Sequence, residues 1–389
     1  MASPQDQEAT KVFNIALLPG DGIGPQLASY TEKLLSAIES TRTNLSFQIL
    51  RYPFGGAALA AGYDSAFPQE TLDAARNSDA VIVCACNDPA YGLEPEKGLL
   101  KLREELGAHA NIRPLKFPSS ALVERSAYKE EFVRDLDITF VRDLTGGVYS
   151  GRRQEGDAQG IAYDTTEYSR QQIERLARLA GQYAMRLQPP KRVHSIDKYN
   201  VMATGRLWRD VVSEVFEAEF PSVELEHVLV DTAAGILASD PKRLNGVILA
   251  ENMFGDILSD QAGGIIRPGN VLASAAVSGL PRMNVKKPNI FEPLDLKKKT
   301  EVQNPLAIMQ AVALMLELGL GLVAEADALS KAIRQTLDPT ELIGSDTLLC
   351  IRTLPVTEHS QDASLSVVTR IHARRGAWAR SRWASVQPM

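Results

Sequence analysis

The sequence predicts an α/β fold that contains a substantial parallel sheet. Short apolar runs rich in valine and isoleucine alternate with stretches of helical periodicity along most of the chain, and such alternation is typical of strand–helix–strand units. The chain has 389 residues, 44% of them hydrophobic, which is enough to bury a large core in one or two domains.

The predicted elements follow one another in a regular order. A strand at 12–18 leads through the turn PGDGIGP into a helix that begins near Pro25, and the run AVIVCAC at 80–86 predicts another buried strand. Further strands, most of them followed by helical periodicity such as EYSRQQIERLARLAGQYAMRL, are predicted at 138–142, 192–197, 223–231 and 246–251. The apolar stretch PLAIMQAVALMLELGLGLV contains Glu317, so it is predicted to be a buried helix rather than a membrane span.

Charge and cysteine content exclude several classes of function. The net charge of −6 and the lack of a long basic run before the C-terminus give nucleic-acid binding no electrostatic support. The C-terminal segment HARRGAWARSRWASVQPM is interpreted as a solvated tail or a subunit contact. The three cysteines fit neither a disulfide framework nor a zinc site, and the first residues contain no apolar leader. We therefore expect a cytoplasmic protein that binds neither nucleic acid nor membranes.

Two features could bind anions. The turn LLPGDGIGP follows a strand and opens a helix, where backbone amides can face an anion, but its glycines lack the GxGxxG spacing and indicate little beyond a tight turn. Arg103, Arg113 and Arg142 could bind a dicarboxylic acid together, because guanidinium groups grip carboxylates through paired hydrogen bonds. Taken singly, each of them could equally be a surface or salt-bridge arginine.

Two aspartates in NMFGDILSD are candidates for metal ligands. Asp256 and Asp260 are four residues apart, so on a helix their carboxylates share one face and repel each other unless positive charge lies between them. Carboxylate oxygens suit Mg²⁺ or Mn²⁺, and Asp231, after a predicted strand, could supply a third ligand. The alternative is that one of the two aspartates caps the helix.

Lys198 and Tyr149 are candidates for acid–base catalysis. Lys198 ends a predicted strand, and a lysine beside a divalent cation could serve as a base. Tyr149 follows the Gly-Gly turn in LTGGVYSG and could donate a proton. The alternatives are a surface lysine and a core tyrosine. Asn200, two residues beyond Lys198, is a candidate for contact with a dinucleotide.

The order of the motifs resembles one family from end to end. The series LLPGDGIGP, FGGAALAAG, PEKGLLKLREELGAHANIRP, VRDLTGGVYSG, DKYNVMATGRLWR, HVLVDTAAGIL and ENMFGDILSDQAGG is similar to the β-decarboxylating dehydrogenases typified by 3-isopropylmalate dehydrogenase. The similarity runs from about residue 12 to about 275 and resumes in NPLAIMQAVALMLELGL.

The resemblance implies an architecture and a set of roles. It implies a two-domain open α/β fold, with residues 1–108 and 267–389 in a first, cofactor-side domain and 109–266 in a second, and a homodimer with shared active sites. The roles that it implies are substrate-carboxylate binding for Arg103, Arg113 and Arg142; metal binding for Asp231, Asp256 and Asp260, with Asp231 donated across the dimer; general base for Lys198; and proton donor for Tyr149.

The same resemblance implies the reaction and the class of substrate. Oxidation of a 2-hydroxy diacid would be followed by loss of its β-carboxylate as CO₂, and Tyr149 would return a proton to the enolate. Leu99 and Leu100 match the positions at which the isopropylmalate branch meets an apolar substituent. A malate with an apolar arm is therefore favoured over isocitrate or tartrate.

The chain departs from the family where the dinucleotide is bound. The family holds the adenosine half of NAD with a segment that begins E-P-x-H-G-S-A-P-D, whereas this chain has FEPLDLKKKTEVQNP. Asp295 is displaced beside three lysines at 297–299, and Lys97 stands where a threonine is usual. Three hypotheses stay open: an NAD- or NADP-dependent enzyme with a remodelled loop, a non-redox decarboxylase, lyase, isomerase or cyclase in a specialised pathway, and a non-catalytic regulatory subunit.

Overall fold

The computed structural model of the protein describes residues 10–86, 88–124, 126–187, 191–266, 272–281, 283, 287–294 and 305–337. Several expectations concern residues outside these ranges, namely those for the C-terminal segment, Cys350, Asp295 and the lysines at 297–299.

One ten-stranded sheet organises the described residues, in the spatial order β2-β1-β3-β12-β11-β4-β5-β10-β8-β9. Four parallel strands lie at each side, and the antiparallel strands β11 and β4 join the two groups. β6 and β7 form a separate antiparallel pair. The twelve strands are β1 Lys11–Gly20, β2 Leu45–Arg51, β3 Ala80–Ala85, β4 Ala110–Lys116, β5 Asp137–Asp143, β6 Arg153–Gln154, β7 Tyr163–Asp164, β8 Val193–Asp197, β9 Leu225–Leu229, β10 Gly246–Ala250, β11 Ala273–Val277 and β12 Asn289–Pro293.

Helices connect the strands and cover the sheet. In the described residues they are α1 Gly24–Ser40, α2 Gly56–Ala60, α3 Gln69–Asn77, α4 Glu94–Glu105, α5 Ser120–Val123, α6 Glu130–Val133, α7 Arg170–Met185, α8 Ala203–Glu219, α9 Val230–Ser239, α10 Asn252–Ile266, α11 Leu306–Leu314 and α12 Val323–Leu337. The predicted α/β fold with a large parallel sheet is confirmed. The predicted division into two domains stays a prediction.

The continuous apolar runs of the strands have a simple cause. In β1, Ile15 and Leu17 belong to one hydrophobic core cluster, and Ala16 and Leu18 belong to another. Successive side chains of a strand point to opposite faces, so both faces of this strand are covered, as is usual for parallel sheets. The sequence of this strand does not alternate between apolar and polar residues, because neither face of the strand meets water.

The apolar stretch near Glu317 is a buried helix, as predicted. Residues of α11 lie in the core, and a π-helical turn, Met315–Gly319, follows it. A Cβ on Gly319 would lie 2.9 Å from the ring of Phe291, so this helix packs closely on β12. No helix of the described ranges is long and apolar enough to cross a membrane.

One predicted element differs from the structure. The strand expected at 223–231 is only β9, Leu225–Leu229, and the helix α9 begins at Val230. Asp231 therefore lies in the first turn of a helix, where a carboxylate interacts favourably with the positive end of the helix dipole. The alternating apolar residues continued past the strand and concealed this boundary.

Candidate functional site

The structure brings the three predicted arginines together. In the register of β4 and β5, Asn111 lies directly opposite Arg142, and Arg113 is two residues beyond Asn111. Opposed residues share one face of a sheet, as do residues two apart on a strand, so Arg113 and Arg142 face the same way. Burial is the main cause that lowers the pKa of Arg142; Asp256 opposes this shift, while the nearby charges of Arg113 and Arg103 add to it.

Arg103, on α4, is held by a carboxylate from β12. Its Nη2 donates to Glu292 Oε1 at 2.6 Å, and the same oxygen accepts from Ser274 Oγ at 3.1 Å. Ser274 lies directly opposite Glu292 in the sheet. The Nε of Arg103 is buried and meets no hydrogen-bond acceptor among the described residues. One donor of this arginine is therefore free to bind a ligand.

The other two arginines are each held by a buried asparagine. Arg113 Nε donates to Asn111 Oδ1 at 2.8 Å. Arg142 donates from Nε and from Nη2 to Asn252 Oδ1, at 3.1 and 2.9 Å. Asn111 Nδ2 is buried and, within the described part of the chain, has no acceptor. One hydrogen-bonding contact of each guanidinium group is therefore made to a neutral amide oxygen.

The two aspartates of α10 share one face, as predicted, and positive charges lie beside both. Asp256 pairs with Arg142. Asp260 accepts from Arg113 Nη1 at 2.8 Å, and the same nitrogen donates to Ser259 Oγ at 2.9 Å. The mutual repulsion expected for this spacing is therefore offset by two guanidinium groups.

Tyr149 joins this group. Its hydroxyl donates to Asp256 Oδ2 at 3.2 Å, and Arg142 lies 6.0 Å from the centre of its ring. The side chain is 46% exposed, so it is not the core tyrosine of the alternative interpretation. Partial burial chiefly raises the pKa of Tyr149, and the charge and hydrogen bond of Asp256 raise it further. The phenol therefore keeps its proton at neutral pH.

Lys198 and Asp231 form a second group. Lys198 Nζ donates to Asp231 Oδ1 at 2.6 Å, and this hydrogen bond is the main cause that lowers the pKa of Asp231. Asp197 beside Lys198 is buried and pairs with Arg209 through both carboxylate oxygens, at 2.7 and 3.0 Å. No hydrogen bond or ion pair of the described residues joins this second group to the arginines. Within the same ranges, no three His, Cys, Asp or Glu side chains converge as a metal site.

The remaining predicted residues lie on exposed turns and on α4. Leu99 is half-buried against the core, whereas Leu100, 55% exposed, faces solvent. Asn200 is exposed in the turn between β8 and α8. Lys97 is exposed and forms an ion pair with Glu94, with 2.6 Å between Nζ and Oε1. Leu99 and Leu100 are adjacent on the helix that carries Arg103.

Asp21 was not singled out from the sequence, yet it ties three loops together. Its buried carboxylate accepts from the backbone N–H groups of Ala57 and Asp88, both at 2.9 Å. The turn needs Gly20, which has a φ of +64° and whose Cβ would lie 1.8 Å from Ala85 O. PGDGIGP is thus a turn that is joined by hydrogen bonds to two neighbouring loops. The sequence had indicated only the tight turn.

A buried polar cluster was also missed. Tyr168 Oη lies within 3.5 Å of oxygens of Asp143 and Glu251 and accepts from the N–H of Asn252. Asp143, Glu251 and Asn252 fall inside the motifs VRDLTGG and ENMFGD, but no spacing rule distinguishes them from their neighbours. Only the fold shows that they meet.

Known proteins resemble the chain over most of its length. The model of the isocitrate/isopropylmalate dehydrogenase family matches residues 14–357. The 3-isopropylmalate dehydrogenase of Maudiozyma exigua is 42% identical over 334 residues, which are 84% of this chain and 90% of that protein. That of Wickerhamomyces anomalus is 40% identical over 366 residues, 92% of this chain and 98% of that protein. Isocitrate dehydrogenase from Methylococcus capsulatus has a similar structure, with a TM-score of 0.69, 26% identity and coverage of 85% of this chain and 92% of that chain.

Proposed function

Because the chain belongs to the isocitrate/isopropylmalate dehydrogenase family, we propose that it oxidises and decarboxylates a 2-hydroxy diacid that bears an apolar substituent. The observation that carries this proposal is a cluster at α10. Arg113 and Arg142 pair there with Asp260 and Asp256, the Tyr149 hydroxyl also binds Asp256, and the charge of Arg103 acts on Arg142. Three guanidinium groups in one place suit a dianionic substrate.

Two orphaned donors support the diacid. Arg103 Nε and Asn111 Nδ2 are buried and have no acceptor among the described residues, and a buried donor without a partner is costly. Carboxylate oxygens of the substrate would satisfy them. Leu99 and Leu100 are on the helix that carries Arg103 and would receive the apolar arm.

The acid–base roles follow from the two groups. Lys198 would accept the proton of the C2 hydroxyl during oxidation. After the bond to the β-carboxylate breaks, its electron pair stays on the substrate as an enolate and CO₂ leaves. Tyr149, protonated at neutral pH because its pKa is raised, would then donate a proton to the enolate carbon.

Metal binding fits the same residues. Asp256 and Asp260 are oxygen donors one helical turn apart, which suits Mg²⁺ or Mn²⁺, and Asp231 of the partner subunit would complete the set. When bound, the cation supplies stabilisation of the negative charge that develops on the substrate.

The dinucleotide would bind where the sequence departs from the family pattern. An oxidation of this type needs a hydride acceptor, which NAD or NADP supplies in dehydrogenases. The segment FEPLDLKKKTEVQNP lacks the histidine, glycine, serine and aspartate that hold the adenosine half in the family, and its residues 295–304 lie outside the described ranges. This departure favours a second candidate, a non-redox enzyme that uses the same acid–base groups.

Calorimetry with the purified chain and Mg²⁺ distinguishes these candidates. We expect saturable binding of NAD or NADP, formation of reduced dinucleotide with 3-isopropylmalate, and loss of both CO₂ release and hydride transfer in Lys198→Ala. Lack of dinucleotide binding up to about millimolar concentration, with substrate consumed in the presence of metal alone, would reject the dehydrogenase and support the second candidate. A wild-type chain that is inert with every substrate but alters a partner enzyme would reject both.

A further inference from the structure

Tyr168 lies at the centre of a buried polar cluster beneath the turn that carries Tyr149. Its hydroxyl donates to Asp143 Oδ2 at 3.0 Å, accepts from the N–H of Asn252 at 3.0 Å, and lies 3.5 Å from Glu251 Oε2. Its ring packs edge-on against Trp208, with 5.6 Å between ring centres. The hydroxyl thus donates one hydrogen bond and accepts another, and these contacts fix the position of the phenol.

The cluster contains two carboxyl groups but only one phenolic proton. Asp143 also accepts from the N–H groups of Thr145 and Gly146, at 3.2 and 2.6 Å. The single proton of Tyr168 makes its shorter hydrogen bond to Asp143, and Glu251 Oε2 is the more distant acceptor. Burial is the main cause that raises the pKa of both carboxyl groups.

The hydroxyl of Tyr168 is connected to Arg142 through one residue. Asn252 gives its backbone N–H to Tyr168, and its side-chain Oδ1 holds two nitrogens of Arg142. The Nδ2 of Asn252 donates to Gly146 O at 3.2 Å. Asn252 therefore links the start of α10, the guanidinium of Arg142 and the Gly-Gly turn.

The ring of Tyr168 shapes the turn itself. A Cβ on Gly146 would lie 2.4 Å from the ring, and a Cβ on Gly147, whose φ is +79°, would lie 3.0 Å from the hydroxyl. The turn therefore packs directly on the ring and the hydroxyl of Tyr168. Tyr149 follows this turn two residues later, and its position depends on that support.

We propose that Tyr168 is a positioning residue for the diacid site, because its hydroxyl fixes the Asn252 that holds Arg142 and its ring supports the turn that carries Tyr149. The expected change in kinetics rests on the proposed function, whereas the expected change in the positions of Asn252 and Arg142 does not. Tyr168 touches neither substrate nor cofactor and acts only through these two residues.

Tyr168→Phe in the full chain tests the proposal, and Tyr183→Phe is a matched control. Both tyrosines are 8% exposed, and Tyr183 lies in α7, away from the arginines. We expect Tyr168→Phe to raise KM for 3-isopropylmalate and to lower kcat, together by about ten- to a hundred-fold in kcat/KM. The kcat/KM of Tyr183→Phe should stay within about two-fold of the wild-type value, even if its melting temperature falls as much as that of Tyr168→Phe.

A crystal structure of Tyr168→Phe provides a readout that does not depend on activity. The proposal predicts that Arg142 loses its paired contact with Asn252 Oδ1. Unchanged kinetics in Tyr168→Phe beside an active wild type would overturn it, and so would an unmoved Arg142. If the wild type neither binds nor converts the diacid, the proposed function fails while the crystallographic test of Tyr168 still stands.

Discussion

Individual side chains in this site are held by acceptors of different charge. Glu292 gives Arg103 a full negative charge. Arg113 and Arg142 are oriented by the amide oxygens of two buried asparagines and also pair with the carboxylates of α10. These carboxylates offset part of the positive charge that a substrate carboxylate would meet. The sequence indicated the three arginines but not what fixes them.

Arg142→Lys should separate charge from geometry at this position. A lysine keeps the positive charge beside Asp256 but cannot make the paired contacts of a guanidinium group. We expect KM for 3-isopropylmalate to rise by about ten- to a hundred-fold, as lost charge-assisted hydrogen bonds of about 1.5–3 kcal/mol imply. The control is Arg178→Lys, an exposed arginine of α7. Steady-state kinetics in which both variants match the wild type would contradict the role of Arg142.

Among the elements, the Gly-Gly turn after β5 packs closely on the ring of Tyr168. Its N-terminal half is capped by the carboxylate of Asp143, and Gly147 N donates to Glu167 O at 3.0 Å. Gly146 does not adopt the positive φ that favours glycine, so the ring of Tyr168 is what opposes a side chain there. This turn therefore depends on a neighbour that is distant in the sequence.

Gly146→Ala should destabilise the chain through this contact. A methyl group 2.4 Å from a buried ring forces the turn or the ring to move, and overpacking of this kind costs about 1–3 kcal/mol. Gly156→Ala is the matched control, because a Cβ there meets nothing within 4 Å. Urea unfolding of the two variants measures the difference. Equal free energies of unfolding would show that the turn yields without cost.

At the scale of the whole molecule, the candidate residues form two groups, and no hydrogen bond or ion pair of the described residues joins them. Lys198 and Asp231 pair with each other, while Tyr149 and the α10 carboxylates pair with the arginines. Next to each group in the chain lies an exposed apolar side chain, Val201 after Lys198 and Ile257 after Asp256. Exposed apolar surface can mark an interface, and the proposed homodimer with shared sites would cover it.

Mixing two inactive variants should reveal shared sites. If Lys198 acts in the site of the partner subunit, a dimer of Lys198→Ala with Tyr149→Phe contains one intact site and one doubly altered site. Refolding an equal mixture of the two chains should then restore about a quarter of wild-type activity, since half of the dimers are mixed. Each variant refolded alone is the control. If Lys198 serves its own chain, the mixture stays as inactive as its components.

The sequence by itself determined the strand–helix alternation, the buried helix near Glu317 and the order of motifs that identifies the family. These depend on local patterns, because periodicity and turn residues act over a few positions. The end of β9 was misplaced for the same reason, since alternating apolar residues ran into α9.

Only the tertiary structure decided which side chains meet. Arg103 and Glu292 are 189 positions apart, and Tyr168 and Asn252 are 84 apart. Such contacts follow from the order and register of the ten strands. The apolar run of a strand requires only that both of its faces are covered, and it does not specify which strands lie beside it. The residues with charge could be chosen from the sequence, but the buried groups that orient them could not.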